Sequence, residues 1–495
     1  MFDQTLTPAA SGARLPPLAD FRLNYRSGSI SPVVVLGLTR LADALVIAGI
    51  GSGLFCLYVQ SPSLLSGLPY LSLAALVGIG GVAAFQATGL YTIAGLRAPI
   101  SQLSRLALGW TSIFAAVVVA VFFLKIGAEV SRVWLLAWYV AGAIGLSLFR
   151  AGLASLLRSW TQDGRLIRRA VVVGGGSEGE ALLQRLGAED NDLRICGVFD
   201  DRMDVRVGSK IAGYPKLGAI SDLAAFSRGN RVDLVLVALP QRAEERVCSI
   251  LRELMILPLD IKLSSLAAKL RLRPRAYSYI GTVPFLDVAD RPIANWETIQ
   301  KWLFDRAIGV AALIVLTPVM LLTALAIKLD SRGPVFFKQK RYGFNNELIE
   351  VYKFRSMYTD KSDPSAVKLV TRGDPRVTPI GRIIRKSSID ELPQLFNVLK
   401  GDLSLVGPRP HALQAKAADT LYADAVDGYF ARHKVKPGLT GWAQINGWRG
   451  ETDTQDKIVK RVEHDLYYID HWSVALDLYI LVKTPFALLS GENAY

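Results

Sequence analysis

Long apolar runs separated by short polar segments dominate the first 150 residues of the chain. Four runs lie near Val33–Val59, Leu68–Tyr91, Leu106–Ile126 and Val133–Phe149. Each is long enough for an α-helix that crosses a bilayer, which needs roughly 17–25 residues. The pattern therefore predicts a bundle of four transmembrane helices within residues 32–155.

Basic residues lie on one side of these spans. The loop from Gln60 to Gly67 carries no charge, whereas the next loop carries Arg97 and Arg105, and Arg150 ends the fourth run. Loops rich in Lys and Arg stay in the cytoplasm. We therefore expect a multi-pass protein of the bacterial inner membrane, with both ends of the bundle in the cytoplasm.

Two charged residues, Arg40 and Asp43, lie within or at the edge of the first run. A single charge at the centre of a membrane helix costs about 2.5–3.5 kcal/mol on insertion scales. Because residues three apart share a helix face, we predict that Arg40 and Asp43 form a structural ion pair.

Residues 165–265 change to short apolar segments of alternating strand and helix type. Ala170–Val173 is typical of a buried strand, and a G-x-G-x-x-G motif and a helical segment follow it. The motif glycines are Gly174, Gly176 and Gly179. The next strand ends at Asp200, which is placed to hold a ribose hydroxyl. The pattern predicts a Rossmann-like cytosolic domain, whose nucleotide pocket is either functional or degenerate and regulatory.

A fifth apolar run, Ala307–Ile327, follows a basic segment predicted as a linker over residues 266–300. By length alone the run would span a membrane. However, basic residues flank it on both sides, and the segments before and after it both belong in the cytoplasm. We therefore predict a re-entrant helix at about residues 303–329 that breaks at Pro318 and returns to the same side. The Thr317 hydroxyl or a packed neighbour would satisfy the carbonyl that the proline frees. An ordinary kinked span is the alternative.

The composition agrees with a membrane protein. The mean hydropathy is +0.30 and the formal net charge is +14, which suits anionic headgroups and phosphate-bearing substrates. No nucleic-acid partner is expected, since the basic residues are dispersed and no binding motif occurs. The three cysteines are far apart in the sequence and indicate a reducing compartment. Residues 1–31 are polar and lack an apolar signal core, which predicts a disordered cytoplasmic tail.

Residues 385–410 combine two adjacent carboxylates with several cations. Asp390 and Glu391 lie between Arg385 and Arg409, and prolines stand on both sides of Arg409. The prolines fix the backbone, which preorganises the Arg409 guanidinium for bidentate phosphate binding. An anionic nucleophile, a metal ligand and phosphate-binding cations suit attack on a nucleotide diphosphate.

The same residues also fit a purely structural role at a helix start. Ser388 and Glu391 have the S-x-x-E spacing of a capping box. In a second arrangement Asp390 is the N-cap, and Pro393 then falls at the third helical position, where proline is tolerated.

Four motifs in this region are similar to those of the bacterial polyprenyl-phosphate phosphoglycosyl transferases, the monotopic enzymes that start exopolysaccharide and O-antigen assembly. The motifs are Lys353–Met357, Ser388–Leu399, Gly401–Pro410 and Lys436–Gly447. The resemblance covers the whole chain and is greatest to members that load glucose 1-phosphate, which share residues 409–412 and 446–452. It implies an α-rich catalytic domain at residues 301–495 that contains the re-entrant helix, in a membrane protein of mixed α and α/β class.

The resemblance also implies a role for each site residue. Asp390 would attack the sugar-side phosphorus of UDP-glucose and expel UMP, with an ordinary carboxyl pKa near ~3.9 that needs no general base. Undecaprenyl phosphate would then take the glucose 1-phosphate from the covalent intermediate. Glu391, together with Asp390, would hold Mg²⁺, and Arg385 and Arg409 would clamp phosphate, with Lys353 a weaker candidate. Membrane lipids and a second copy of the chain, in a homodimer, are the further partners implied.

A membrane-bound NAD-dependent nucleotide-sugar dehydratase is the main alternative, because that class also joins four spans to a Rossmann-like module. It requires a second glycine-rich loop before a Tyr-x-x-x-Lys pair. The spacing occurs at Tyr479 and Lys483, in an apolar segment with no such loop before it. A non-catalytic nucleotide sensor is a third interpretation, against which the intact acidic pair argues.

Overall fold

The computed structural model describes most of the chain in two compact units, one ending at Ile167 and the other beginning at Arg168. The described residues are 30–59, 64–125, 130–188, 193–202, 210–239, 244–264, 277–280, 282–359, 374–411, 416–417, 420–421, 429–448 and 454–489. The tail predicted at residues 1–31 lies almost entirely outside them, as do parts of the predicted linker and of the motif at residues 446–452.

The first unit is helical. Its helices are α1 (Pro32–Leu54, continued by a π-helical turn at Phe55–Val59), α2 (Leu64–Ala87), α3 (Ile93–Arg97), α4 (Pro99–Phe123) and α5 (Arg132–Gln162). Helix α1 packs against α2 and α5, and α4 also packs against α2 and α5. The four long helices coincide with the four apolar runs of the sequence and are long and apolar enough to cross a membrane.

Tryptophan side chains of α5 join it to α1. Trp134 and Trp138 are fully buried, and their indole N–H groups donate to the carbonyl oxygens of Gly51 and Ile47 at 3.0 and 2.9 Å. Gly51 leaves room for this packing, since a Cβ atom there would lie 2.5 Å from the Trp138 ring. The indoles therefore fill the space between the helices while their polar groups remain satisfied.

The ion pair predicted within α1 is replaced by one between helices. Asp43 is fully buried and accepts from Arg150 of α5 at 2.6 Å and from the Tyr91 hydroxyl at 2.9 Å. Arg40 instead donates to the Gln86 side chain of α2. The prediction was wrong because Asp43 faces the interior, where a guanidinium from a neighbouring helix reaches it.

The second unit opens with an eight-stranded sheet in the spatial order β3-β4-β2-β1-β5-β6-β8-β7. The strands are β1 (Arg168–Val173), β2 (Leu193–Phe199), β3 (Lys210–Ile211), β4 (Tyr214–Gly218), β5 (Leu234–Val237), β6 (Asp260–Ser264), β7 (Tyr277–Ile280) and β8 (Val283–Ala289). Strands β4, β2, β1, β5 and β6 pair in parallel, and β3, β8 and β7 are antiparallel additions at the two edges.

Helices cover both faces of this sheet. They are α6 (Ser177–Ala188), α7 (Asp222–Gly229) and α8 (Glu244–Leu254). Val171 and Val173 of β1 pack with α7 and α8, whereas Ala170 and Val172 pack with α6. Because successive strand residues point to opposite faces, a continuous apolar run is what a central strand covered on both sides requires.

The segment predicted as a linker at residues 266–300 differs from that prediction. Strands β7 and β8 lie within it and extend the sheet through antiparallel pairing. Its prolines do not prevent this, since Pro284 stands near the start of β8, just beyond Phe285, where the pairing of β8 with β6 ends. The last six residues of the segment already belong to the next helix.

The remainder of the second unit is built around a long helix, α9 (Asn295–Asp330). The other elements are β9 (Phe336–Tyr342), β10 (Leu348–Phe354), α10 (Pro379–Lys386), a 3₁₀ turn (Ile389–Glu391), α11 (Gln394–Lys400), β11 (Ser404–Val406), β12 (Lys416–Ala417), β13 (Thr420–Leu421), a 3₁₀ segment (Tyr429–Lys434), β14 (Gly438–Thr440), α12 (Trp442–Ile445), α13 (Gln455–Asp470) and α14 (Val474–Leu489). Apolar residues of β10, α11, β11, α13 and α14 share one core.

Helix α9 contains Pro318 and keeps its helical assignment on both sides of it. Pro318 has no N–H group, so the carbonyl of Ile314 loses its helical partner. The Thr317 hydroxyl donates to the neighbouring carbonyl of Leu313 at 2.6 Å. The helix is thus assigned continuously where a break was predicted, and the threonine bonds to the carbonyl one residue before the one that the proline frees.

Candidate active site

Asp390 and Glu391 lie on a 3₁₀ turn between α10 and α11, and neither capping arrangement is adopted. Ser388 makes no side-chain capping bond, and α11 begins at Gln394, after Pro393. Ser388 instead takes a left-handed conformation, with φ of 58°. Such a conformation costs a non-glycine residue about 1–3 kcal/mol, and here it follows the C-cap of α10, where left-handed residues commonly end a helix.

Two cations hold the Glu391 carboxylate. The Lys353 ammonium donates to Glu391 Oε1 at 2.7 Å. The Arg409 guanidinium donates to the same oxygen at 2.8 Å and to Oε2 at 3.3 Å. The structure therefore brings Lys353 and Arg409, which are 56 residues apart in the sequence, onto one carboxylate beside Asp390.

The pKa values of the two carboxyl groups are shifted in opposite directions. Burial raises the pKa of Asp390 to about 6, against the positive charges of Lys353, Arg385 and Arg409. Burial alone would also raise the pKa of Glu391, but Arg409 and Lys353 pair with it and hold its pKa well below the ordinary value. The pKa of about 6 corrects the ordinary value expected for Asp390, although the carboxylate is still mostly ionised at neutral pH.

Arg385 contributes its charge from the last turn of α10. Its positive charge lowers the pKa of Asp390, but no ion pair joins the two side chains. The structure thus places Lys353 and Arg409 in contact with Glu391, which is next to Asp390 in the chain. Arg385 lies at the edge of this cluster.

Asn397 holds the strand that carries Lys353, and sequence reasoning did not identify it. Its side chain is fully buried. The amide oxygen accepts from the Tyr352 N–H at 2.9 Å, and the amide nitrogen donates to the Glu350 carbonyl at 2.7 Å. Asn397 therefore pairs with the exposed edge of β10 as another strand would, which fixes Lys353 relative to α11.

The loop that carries Arg409 leaves β11 beside β14. The two short strands are parallel and pair Ser404 with Gly438 and Val406 with Thr440. A Cβ atom on Gly438 would lie 2.1 Å from the backbone nitrogen of Gly407. The glycines of the two motifs therefore allow two backbones to approach closely immediately before Arg409.

The glycine-rich loop of the sheet domain already forms hydrogen bonds within that domain. One Asp200 carboxylate oxygen accepts from the Gly175 N–H at 2.6 Å, and the other accepts from the Arg202 N–H at 3.0 Å. A Cβ atom on Gly179 would lie 2.0 Å from the Gly174 carbonyl, so the helix packs tightly on the loop. A ribose hydroxyl would have to displace these backbone donors before it reached Asp200.

Magnesium has a candidate donor set in the acidic pair. Mg²⁺ takes oxygen ligands, usually one or two carboxylates together with substrate phosphates and water. Asp390 and Glu391 supply such carboxylates, and Mg²⁺ at Glu391 would replace the donors of Lys353 and Arg409 that its oxygens now accept. Within the described parts of the chain, no group of three or more His, Cys, Asp or Glu side chains is arranged to hold a metal ion.

The Tyr479 and Lys483 pair required by the dehydratase alternative lies on α14. The Lys483 ammonium stands 5.1 Å from the centre of the Tyr479 ring, so the two residues form a cation–π contact on one helix. The pair is remote in sequence from the glycine-rich loop and does not favour the dehydratase interpretation.

Comparison with known proteins supports one family. The model of the bacterial sugar transferase family matches residues 296–491, and the model of a CoA-binding domain matches residues 86–265. An undecaprenyl-phosphate glucose phosphotransferase of Komagataeibacter xylinus is 41% identical over 342 residues, which are 69% of this chain and 62% of that protein. An exopolysaccharide production protein of Rhizobium leguminosarum bv. phaseoli is 48% identical over 199 residues, which are 40% of this chain and 100% of that protein.

A third relative matches nearly end to end. A UDP-glucose:undecaprenyl-phosphate glucose-1-phosphate transferase of Xanthomonas campestris pv. campestris is 33% identical over 449 residues, which are 90% of this chain and 92% of that protein. Such identity across both units, with the acidic pair and its cations inside the matched segment, is not explained by a shared fold alone. The chain belongs to the bacterial sugar transferase family.

Proposed function

We propose that this protein transfers glucose 1-phosphate from UDP-glucose to undecaprenyl phosphate and releases UMP, as the first membrane step of exopolysaccharide synthesis. The donor and acceptor are those named for relatives that are 33–41% identical to the chain. The observation that carries the proposal is the Asp390 carboxyl group next to Glu391, with Lys353 and Arg409 bound to the latter. This is a nucleophile next to cations that can receive a diphosphate.

In the proposed mechanism, one Asp390 oxygen forms a bond to the sugar-side phosphorus of UDP-glucose. The bond from that phosphorus to the bridging oxygen breaks, and UMP leaves with the electron pair. Undecaprenyl phosphate then attacks the same phosphorus, which releases Asp390 and yields the lipid diphosphate sugar. With a pKa of about 6, Asp390 is ionised at neutral pH, and neither step requires a general base.

The cations of the site would balance the negative charge that the donor brings. Arg409 and Lys353 already approach one carboxylate, and their donors can pass to phosphate oxygens as UDP-glucose enters. Arg385 would bind phosphate from the margin of the site. Mg²⁺, held by Glu391 and Asp390, would neutralise charge on the diphosphate and the leaving UMP.

Helix α9 is best explained as a re-entrant helix. Its first half is tied to the catalytic domain through Lys301, which reaches the Val406 carbonyl, and through Asp305, which accepts from the Leu405 N–H. Its second half packs on Phe354 and Ile384 of the same domain. A helix that crossed the bilayer could not contact one domain through both halves.

The surface of α9 that the domain leaves uncovered is apolar. Its most exposed large side chains are Ile314, Val315, Leu321, Leu322, Leu325 and Leu329. Exposed Leu478, Val482 and Phe486 give α14 a similar surface. In a bilayer these residues would lie in the lipid and place the acidic pair at the level of the headgroups, where the acceptor phosphate lies.

The remaining arrangement follows the sequence prediction. We propose that α1, α2, α4 and α5 form a four-helix transmembrane bundle in the bacterial inner membrane, with the catalytic domain on the cytoplasmic face. The sheet of residues 168–289 would be a Rossmann-like cytosolic domain whose glycine-rich loop is closed by Asp200. Association into a homodimer stays a prediction from the family resemblance.

The test is UMP release by purified protein given Mg²⁺, undecaprenyl phosphate and either UDP-glucose or UDP-galactose. We expect UMP with UDP-glucose and none after the Asp390→Asn substitution, which keeps the shape of the side chain but removes the nucleophile. Phosphosugar should remain on the wild-type protein when the lipid is omitted, and intact-mass measurement detects it. Turnover that survives Asp390→Asn would disprove the mechanism.

A further inference from the structure

The prolines around Arg409 restrict how its loop can be held in place. Neither Pro408 nor Pro410 has a backbone N–H, so these residues can be fastened only through their carbonyl oxygens. All three carbonyls accept a hydrogen bond. Pro408 accepts from the Gly438 N–H at 2.9 Å, Arg409 from Arg432 at 2.8 Å, and Pro410 from Arg341 at 2.5 Å.

Two of these three donors are guanidinium groups, and Arg432 is the more deeply placed. Its side chain is completely buried and forms an ion pair of 2.6 Å with Asp465 of α13, whose side chain is 2% exposed. The guanidinium carbon lies 5.5 Å from the centre of the Tyr429 ring. A buried charge of this kind is tolerated only where a partner of opposite charge and further hydrogen bonds surround it.

His411, the residue after Pro410, belongs to the same cluster. Its ring contacts the Arg432 guanidinium at 2.5 and 3.0 Å, and its Nδ1 lies 2.7 Å from the Tyr429 hydroxyl. Burial, together with the charge of Arg432, holds the pKa of His411 well below its ordinary value. The imidazole is therefore neutral, and Asp465 balances the charge of Arg432.

We propose that Arg432, held by Asp465, is a positioning residue that sets the place of the Arg409 guanidinium by fixing the carbonyl of its own residue. This rests on the proposed function of Arg409 in binding the donor diphosphate. Arg432 does not touch substrate, since it is enclosed by the loop, the Tyr429 ring and α13. It affects donor binding only because it positions Arg409.

The chemistry of the contact explains why arginine is needed. One nitrogen of Arg432, Nη2, donates to both the Arg409 carbonyl and Asp465, and the other terminal nitrogen faces His411. A planar guanidinium presents these donors in fixed directions, and its Nη2 lies one bond beyond the position that a lysine Nζ reaches. Arg432→Lys therefore keeps the positive charge near Asp465 but withdraws the donor from the Arg409 carbonyl.

The experiment measures UDP-glucose binding by titration calorimetry to the Asp390→Asn protein, in which the donor is not turned over. In that background Arg432→Lys should weaken binding about tenfold, the order expected for losing one charge-assisted hydrogen bond that orients a ligand-binding group. When Arg409→Ala is also present, Arg432→Lys should have no further effect. Residues that act through one another give such non-additive changes.

A second variant separates positioning from stability. Arg432→Met with Asp465→Leu replaces the buried ion pair by apolar side chains, which often restores or improves stability. We expect its thermal midpoint to match that of the parent while UDP-glucose binding stays weak. Arg376→Met is the matched control, because it removes a partly buried ion pair with Asp374 in the same domain, whereas Gly438, Arg432 and Arg341 hold the Arg409 loop.

The outcomes are distinct. Normal donor affinity in the stable Arg432→Met/Asp465→Leu protein, or an equal loss from Arg432→Lys with and without Arg409, would overturn the positioning role. No binding of UDP-glucose by the Asp390→Asn parent itself would instead refute the proposed function. Equal weakening by Arg376→Met would assign the effect to loss of stability and would likewise overturn the inference.

Discussion

At the scale of single residues, the main chemical consequence of folding is the protonation of Asp390. Its position beside two cations could be read from the sequence, but its burial could not, because burial depends on β10 and α11 closing over the turn. Burial raises its pKa to about 6, and Lys353 is the largest opposing charge. The proposed nucleophile is therefore ionised at neutral pH, but it would lose its charge about one pH unit lower.

This pKa makes a pH profile informative. Because only ionised Asp390 attacks phosphorus, UMP release should fall as the pH is lowered through about 6, and each further unit should reduce it about tenfold. The pH dependence of kcat/KM for UMP release, measured across the acid range, checks this, because kcat/KM reports the pKa of the free protein. An acid limb near 4 would contradict the buried environment.

Replacing Lys353 by Met extends the same test. Lys353 lowers the pKa of Asp390, so its removal should move the acid limb of the profile to higher pH. The shift is seen in the midpoint of the profile and does not depend on the absolute rate, which will also fall. An unchanged midpoint would mean that Lys353 does not act on Asp390 in solution.

The sequence predicted the candidate site residues that lie in compact motifs and did not predict those that would act from a distance. Asp390, Glu391 and Arg409 occur within 20 residues of one another, so their shared role is visible in the motif itself. Asn397 and Arg432 are not, because their function is to satisfy backbone groups of other elements. An asparagine in the middle of an apolar helix segment, Leu395–Leu399, was the available signal for the former.

At the scale of elements, α9 is the helix through which we propose that the catalytic domain contacts the membrane. The apolar run and its proline were evident in the sequence, whereas the contacts of both halves of the helix with one domain were not. The strands β7 and β8 were missed for a related reason. Strand β8 pairs with β6, which the fold provides, and β7 pairs with β8, while the local sequence is rich in proline and basic residues.

A re-entrant α9 predicts that both of its ends lie in the cytoplasm. Single cysteines at Gln300 and Lys328, in a chain whose three native cysteines are replaced, should react with a membrane-impermeant thiol reagent in inside-out vesicles and not in intact spheroplasts. A cysteine at Lys125, at the end of α4, should show the opposite pattern. Labelling of Gln300 and Lys328 from opposite sides would establish a complete crossing.

At the scale of the whole molecule, the described chain divides into a helical unit and a unit that contains the site, and the contacts of the site lie within the latter. The relative from Rhizobium leguminosarum bv. phaseoli matches 40% of this chain over its whole length. That relative is therefore too short to contain counterparts of all the elements of this chain.

This division predicts that a chain beginning at Pro292 retains chemistry. It keeps α9 and every contact of the acidic pair and of Arg409, so it should remain in the membrane fraction and release UMP from UDP-glucose. The same truncation with Asp390→Asn controls for contaminating activity. A soluble or inactive product would show that the preceding units are needed to insert or assemble the catalytic domain.

One strand connects the membrane helix to the chemistry. Lys353, near the end of β10, binds Glu391, while Arg355, two residues further, donates to the Ser331 and Arg332 carbonyls at the end of α9 at 2.7 and 2.5 Å. In the proposed re-entrant placement, a change in the depth of α9 in the lipid would be transmitted over two peptide units to the acidic pair. Bilayer thickness would then be a variable of catalysis, because a membrane that lifts or lowers α9 would change the charge balance around Asp390.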